Sequence, residues 1–380
     1  MLVSSWASGR TSKSKDTLRQ SIFRLLTCYS TFKLHNRKVY ITGESYAGQY
    51  IPYIASAMLD QQNKTYFNVQ GVQIIDPSIN HGDTLTEAPS VGFVREWSNL
   101  FNLNSTFMAE LNNASAACGY DDFMENALKF PPKSLIPTAP SSDRDGCALF
   151  NDIVIAALYV NPCFNIYHIT DYCPFLWNVM GFPSLATGPH NHFNRTDVQK
   201  AIHAPPTDYT VCGDYTLFPG RDRSVPSGLG PLPSVIDRTK NVIIAHGMLD
   251  FLLIANGSLV TIQNMTWGGK QGFQKAPQPG NFYVPYHATL NQIIQEATRQ
   301  VNLDLYANTD VAGAGIYGST HTERGLTFVQ TALAGHQIPQ YAPGAAYRQL
   351  EFLLGRIPGL TYVSYFTTQT GNFTENSTLY

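Results

Sequence analysis

Val39-Tyr-Ile-Thr-Gly-Glu-Ser-Tyr-Ala-Gly-Gln-Tyr-Ile-Pro52 is the stretch on which the fold reading turns. Val39 to Thr42 is short, apolar and β-branched, the pattern of a buried strand. The pattern breaks at Gly43 and resumes near Tyr50 as a helix running to about Gln61. Strand, tight turn and helix in succession are the setting of a nucleophilic serine at the top of an α/β sheet. Such a turn needs small residues two positions to either side of the serine. Here these are Gly43 and Ala47, with Gly48 completing the turn around Ser45. The backbone N–H of Tyr46 is the expected oxyanion donor. A serine that only caps the following helix is the competing interpretation. The strand before it and the helix after it favour a nucleophile.

Working outward, apolar positions from Asp16 to about Thr31 recur at helical spacing, and Val69 to Ile75 reads as the next strand. The stretch from about Asn80 to Pro233 is rich in Pro, Gly, Asn, Tyr and Cys and has little sustained periodicity, so an inserted cap is expected. Regular patterning returns with a strand at Asn241–Ala245, another at Leu326–Ala332, and a closing helix from near Pro343. The expected organisation is part of an α/β-hydrolase core over 1–80, the cap over 81–230, and the remaining core over 231–380. In such sheets the acid and the histidine follow the serine in that order, each after a strand. Asp250 follows the Asn241–Ala245 strand on a short loop, and a helix-capping aspartate is its alternative role. Of ten histidines, His336 lies between a strand and the last helix; its main rival, His321, lies before that strand. The order predicts that Ser45, His336 and Asp250 converge, with hydrogen bonds from serine to histidine and from histidine to aspartate.

The chain has 380 residues, 43% of them hydrophobic but only 14% charged, with a net charge of −2. Nothing in that balance suggests a nucleic-acid partner, and no apolar run reaches the ~18 residues that span a bilayer. Four of six cysteines (Cys118, Cys147, Cys163 and Cys173) crowd one stretch without forming a C-x-x-C pair, which favours disulfides over a metal site. Glycosylation sequons stand at Asn63, Asn104, Asn113, Asn194, Asn256, Asn264, Asn372 and Asn376, and together with the cysteines they argue for the secretory route. MLVSSWASGRTSKSK, at the N-terminus, lacks the apolar segment of a signal peptide.

GESYAGQYIP resembles the nucleophile segment of the serine carboxypeptidases, with Glu44, Tyr46, Tyr50 and Pro52 beyond what the general hydrolase pattern requires. Gly247, Asp250, Phe251 and Gly257 are similar to the family's acid loop. Gly335, His336, Pro339 and Pro343 are similar to its histidine loop, although Gln337 stands where the family commonly has methionine. The resemblance implies an acyl-enzyme carboxypeptidase that takes peptide or protein C-termini as substrate, works at acid pH, needs no cofactor or metal, and is secreted or vacuolar and lysosome-like. Glu44 is implied as the protonated group that binds the substrate carboxylate. Cys163–Cys173 and Cys118–Cys147 pairs are implied in the cap. Family members also carry an NGGPG segment well before the serine strand, with the second oxyanion donor and a carboxylate-binding asparagine, and this chain has none. That implies missing N-terminal strands, weak or no hydrolysis, and an unpaired Cys212, with Cys28 in an unsuitable element to replace its partner. A related acyltransferase and an inactive remnant remain open as alternatives at this point, as does the oligomeric state.

Overall fold

A computed structural model describes residues 2–3, 35–172, 192–209, 222–286, 288–300 and 314–366. Its centre is a six-stranded sheet whose strands are β1 (Leu2–Val3), β2 (Val39–Glu44), β3 (Val69–Ile75), β4 (Val242–Gly247), β5 (Gly318–Glu323) and β6 (Leu326–Thr331), in the order β1-β2-β3-β4-β6-β5. All neighbouring pairs are parallel except β5 on β6, which closes the edge as an antiparallel hairpin. The expected strands therefore form. The β5 strand was not anticipated, because Gly318-Ser-Thr-His-Thr-Glu323 carries no apolar alternation. The proposed helix at residues 16–31 lies outside the described residues, as do Cys28 and Cys212.

The sheet is covered on both faces, so its central strands read as continuous apolar runs rather than alternating ones. All six residues of β4 are buried. Their side chains nevertheless alternate between two cores, as the pleat requires. Val242 and Ile244 join Val72, Ile74 and Phe328 on one face, where Ile51, Ala55 and Met58 of α1 (Ala47–Asp60) cover them. Ile243 and Ala245 join Tyr40, Ile75 and Val329 on the other, under Ala345 and Leu353 of the final helix, Pro343–Leu353. That helix is pinned to two strands by a buried polar relay. Gln73 Nε2 donates to Gln349 Oε1 (2.9 Å), and Gln349 Nε2 donates to Thr331 Oγ1 (3.1 Å).

In the segment expected to lack periodicity, residues 83–160 are largely helical. They hold Ala88–Glu96, Ser105–Cys118, Tyr120–Ala127 and Leu149–Val160, joined in part by a Cys118–Cys147 disulfide. Ser105–Cys118, Tyr120–Ala127 and Leu149–Val160 bury only three residues each, so no long apolar stripe announces them. They share one core with Leu249, Phe251 and Ile254 of the loop after β4, so the helical segment packs directly on the Asp250 loop.

Because β2, β3, β4 and β6 run parallel, their C-terminal ends lie along one edge, and the loops carrying Ser45, Asp250 and His336 must all leave from it. Two of these loops interlock. Met248 N donates to Thr331 O (3.0 Å) and Leu249 N to Ala334 O (2.8 Å). Gly247 has no room for a side chain: a Cβ there would lie 2.6 Å from Ala334 O and closer still to Gly335 O. A third loop straps both, since Ile166 O accepts from Phe251 N (2.9 Å) and Tyr167 O from His336 N (2.8 Å).

Two outcomes are expected from this packing. Gln349→Leu leaves Gln73 Nε2 buried without its acceptor and should lower stability by about 1–3 kcal/mol, read from the urea midpoint at unchanged m-value. Gly247→Ala should cost at least as much, about 1–3 kcal/mol, by forcing the two loops apart. Gly82→Ala, where no atom stands within 4 Å, should be near neutral in the same assay.

Candidate active site

Ser45 follows the last residue of β2 and precedes α1. Its φ of 62° is left-handed, a conformation that a serine holds only when its surroundings impose it. The backbone around it supplies that constraint. Ser45 N donates to Ile75 O (2.9 Å), while Ser45 O accepts from both Gly48 N (2.9 Å) and Ser78 N (2.9 Å). The turn is as crowded as its small residues suggest: a Cβ on Gly43 would stand 2.7 Å from the Ala47 Cβ. Tyr46 is the N-cap of α1, where backbone N–H groups have no intrahelical acceptor.

Pro52 sits inside α1 and provides no N–H for the Gly48 carbonyl four residues back. Ser227 Oγ fills that gap, donating to Gly48 O at 2.6 Å. The same segment docks elsewhere on the helix. Gln49 Nε2 donates to Ser224 Oγ (2.8 Å) and Val225 O (2.9 Å), Gln49 Oε1 accepts from Ser227 N (2.8 Å), and the Tyr46 hydroxyl donates to Asp222 (3.0 Å). The helix behind Ser45 is thereby clamped from the side opposite the sheet.

Asp250 and His336 meet in the interior, 1% and 2% exposed. Asp250 Oδ2 lies 2.7 Å from His336 Nδ1, and Oδ1 accepts from Leu252 N at 2.9 Å. An acceptor at Nδ1 assigns the proton to that nitrogen and leaves Nε2 as an acceptor. Nε2 is itself buried and has no hydrogen-bond partner among the described residues. The expected serine–histidine hydrogen bond is therefore not made, whereas the histidine–aspartate bond is. Reaction-centre hydrogen bonds are often long in ligand-free enzymes and tighten only with substrate in place. His321, the rival, is on β5 and pairs with Glu323 at 2.9 Å.

Burial disfavours the charged imidazole of His336, but the charge and hydrogen bond of Asp250, with a contribution from Glu44, outweigh it and raise the pKa above the ordinary value. Burial also raises the Glu44 carboxyl, against the pull of His336. Glu44 and His336 thus feel each other's charge. Tyr167 covers the imidazole with ring centroids 5.0 Å apart. Gln337, next to the histidine, keeps Oε1 buried without a partner among the described residues.

Among the other expected sites, Cys163 is disulfide-bonded, and Cys173 lies outside the described residues. Asn63, Asn104 and Asn113 are exposed. Asn194, Asn256 and Asn264 are half-buried; Asn194 is tied to Asp208 and Tyr209, and Asn264 to Ile136 N. Asn372 and Asn376 are not among the described residues. No helix among the described residues is long and apolar enough to cross a membrane. Asp76, buried against Asp250, is a member of the cluster that sequence reasoning missed. It follows strand β3 as Asp250 follows β4, and that position was the available signal.

Comparisons with known proteins point to one family. The family model for serine carboxypeptidases matches residues 7–355. The chain is 53% identical over 333 residues to a carboxypeptidase Y homolog of Arthroderma benhamiae, covering 87% of this chain and 61% of that protein. It is 40% identical over 341 residues to the serine-type carboxypeptidase F of Aspergillus niger, covering 86% and 62% respectively. The chain thus spans about three fifths of the length of these curated relatives. The crystal structure of Kex1ΔP, a prohormone-processing carboxypeptidase from Saccharomyces cerevisiae, superposes with a TM-score of 0.58 at 18% identity, over 93% of this chain and 70% of that one, a likeness of fold. With an α/β-hydrolase sheet, a serine at its strained turn and these relatives, the chain belongs to the serine carboxypeptidase family.

Proposed function

We propose that the protein is a serine-type carboxypeptidase releasing residues from peptide C-termini through an acyl-enzyme on Ser45. The observation that carries this reading is the buried Asp250–His336 hydrogen bond of 2.7 Å at the strand edge that also bears Ser45. His336 Nε2 takes the Ser45 hydroxyl proton as Oγ attacks the terminal peptide carbonyl, and returns it to the departing amine. Water then attacks the ester with the same imidazole as base. Asp250 orients the ring and stabilises it when charged. The Tyr46 N–H, at the N-terminus of α1, is one donor to the oxyanion. Such chemistry needs no metal or cofactor.

Exopeptidase selectivity needs a group that recognises a free carboxylate. Glu44 serves as that group in its protonated form, donating a hydrogen bond to the substrate's terminal carboxylate. Burial favours its neutral form, which supports the role. The clustered cysteines and the exposed sequons at Asn63, Asn104 and Asn113 support passage through the secretory route to an acidic vacuolar or extracellular compartment.

A fluorophosphonate probe should label the purified protein at Ser45, as mapped by peptide mass spectrometry, and Ser45→Ala should remove the label. Labelling elsewhere, or none, would refute the assignment. Hydrolysis of an N-blocked dipeptide, lost when its C-terminus is amidated, tests for exopeptidase action as opposed to acyl transfer. Because Glu44 binds substrate only while protonated, KM for that dipeptide should rise as pH climbs through the raised Glu44 pKa. Glu44→Gln, which keeps a donor but cannot ionise, should flatten that rise. An unchanged slope would exclude Glu44 from carboxylate binding.

A further inference from the structure

Behind the Asp250–His336 pair lies a second buried acid with no assigned role. Asp76 is 0% exposed, and one oxygen of each carboxyl and a ring nitrogen of His336 all lie within 4.8 Å of one another. The two carboxyls therefore face each other across the same buried space. We propose that Asp76 is a positioning residue of the reaction centre: as a carboxylic acid it donates its proton to Asp250 and so fixes the carboxylate that orients His336. This rests on the reading of Ser45, Asp250 and His336 as the reacting set.

Three observations lead to it. The first is attachment. Asp76 N donates to Ala245 O (2.7 Å), and the Asp76 carboxyl accepts from Gly247 N through Oδ1 (3.0 Å) and Oδ2 (3.3 Å). The carboxyl is thus tied to the end of β4, where the chain turns towards Asp250. The second is backbone conformation. Asp76 has a φ of 41°, left-handed for a non-glycine residue, which neighbours must hold in place. The third is the count of charges in a space without water.

Among the described residues, four titratable groups face Asp76. From the end of β2 comes Glu44, from β4 His246, from the loop after β4 Asp250, and from the loop after β6 His336. His246 Nδ1 stands 3.2 Å from Asp76 Oδ1, but its imidazole is fully buried and burial holds its pKa down at about 3, so it brings no positive charge. Among the described residues His336 is then the group able to offset an anion, and Asp250 already holds it at 2.7 Å. Two adjacent buried carboxyls with one partner cation do not both ionise. Asp250 accepts from two separate N–H donors, one of them the imidazole, whereas the oxygens of Asp76 share the single N–H of Gly247, so Asp250 is the better-stabilised anion and the proton resides on Asp76. Burial, followed by the charge of Asp250, raises the Asp76 pKa well above the ordinary range, in the same sense.

The sign of the pH effect follows. While Asp76 is protonated the centre carries one negative charge, and Asp250 is held by a donor. When Asp76 ionises at higher pH, a second charge repels Asp250 and favours protonated His336, which cannot act as base. The reaction should therefore have an alkaline limb that belongs to Asp76.

The test compares the full chain with Asp76→Asn and Asp76→Leu. Asparagine can donate to Asp250 through Nδ2 and accept from Gly247 N through Oδ1, but does not titrate. At about pH 6, Asp76→Asn should be labelled by fluorophosphonate within about threefold of the parent rate, and its alkaline limb should vanish. Asp76→Leu should be at least about tenfold slower at every pH, a part of the 10²–10⁴ that a positioned base supplies. A limb unchanged in Asp76→Asn overturns the proposal. The second readout needs no activity. In protein labelled with ¹³C at aspartate carboxyls, the resonance absent from Asp76→Asn should keep its carboxylic-acid position at pH values where the exposed aspartates have ionised; a carboxylate position there overturns the assignment. If Asp76→Leu does not fold, Asp76→Asn and the resonance decide. If the parent protein is not labelled at all, the Ser45 reading fails, while the resonance still decides the state of Asp76.

Discussion

Parallel pairing of β2, β3, β4 and β6 is the constraint from which the site follows. Parallel strands cannot be joined by tight turns, so each is reached by a crossover, and all of their C-terminal ends fall on one edge. Residues as far apart in sequence as Ser45, Asp76, Asp250 and His336 come to that edge because each directly follows or lies just beyond a strand. The sheet can be parallel only because both of its faces are covered, by α1 on one side and the Pro343–Leu353 helix on the other. The core therefore specifies function indirectly: it sets the register, and the register sets which loops meet.

The loops are then fixed by backbone contacts that a side chain would destroy. Gly247 lies against the carbonyls of Ala334 and Gly335, and the 165–169 loop bonds both the Asp250 loop and His336. The turn at Ser45 is held in the same manner, by hydrogen bonds to the Ile75 carbonyl and from the Ser78 N–H and by the segment at 222–230 that takes up the carbonyl left open by Pro52. Main-chain contacts of this kind place catalytic groups more tightly than long side chains do, since few rotatable bonds separate them from the sheet.

Electrostatically the site is expensive. Glu44, Asp76 and Asp250 gather around one imidazole in a region largely closed to water. Burial penalises each charge, and the like charges penalise one another. Neutral carboxylic acids are the inexpensive solution, and they supply hydrogen-bond donors where a carboxylate would only accept. Burial accordingly favours the neutral forms of Glu44 and Asp76.

Ser45, Asp250 and His336 were legible from the chain because each sits in a local pattern: an apolar strand, a short turn, then a helix or loop. Glu44 and the glycines came with the nucleophile motif. Hidden from the chain were the short helices between β3 and β4, whose apolar stripes are too brief to register, and the polar edge strand β5. The docking of Ser227 on Gly48 and the contact of Asp76 with Asp250 were equally hidden. Strand and turn identities are set by neighbours a few residues away, so the sequence by itself determined them. Which buried acid touches which, and hence which one keeps its proton, depends on groups brought together from over a hundred residues apart in a medium without water, and only the tertiary structure decided that.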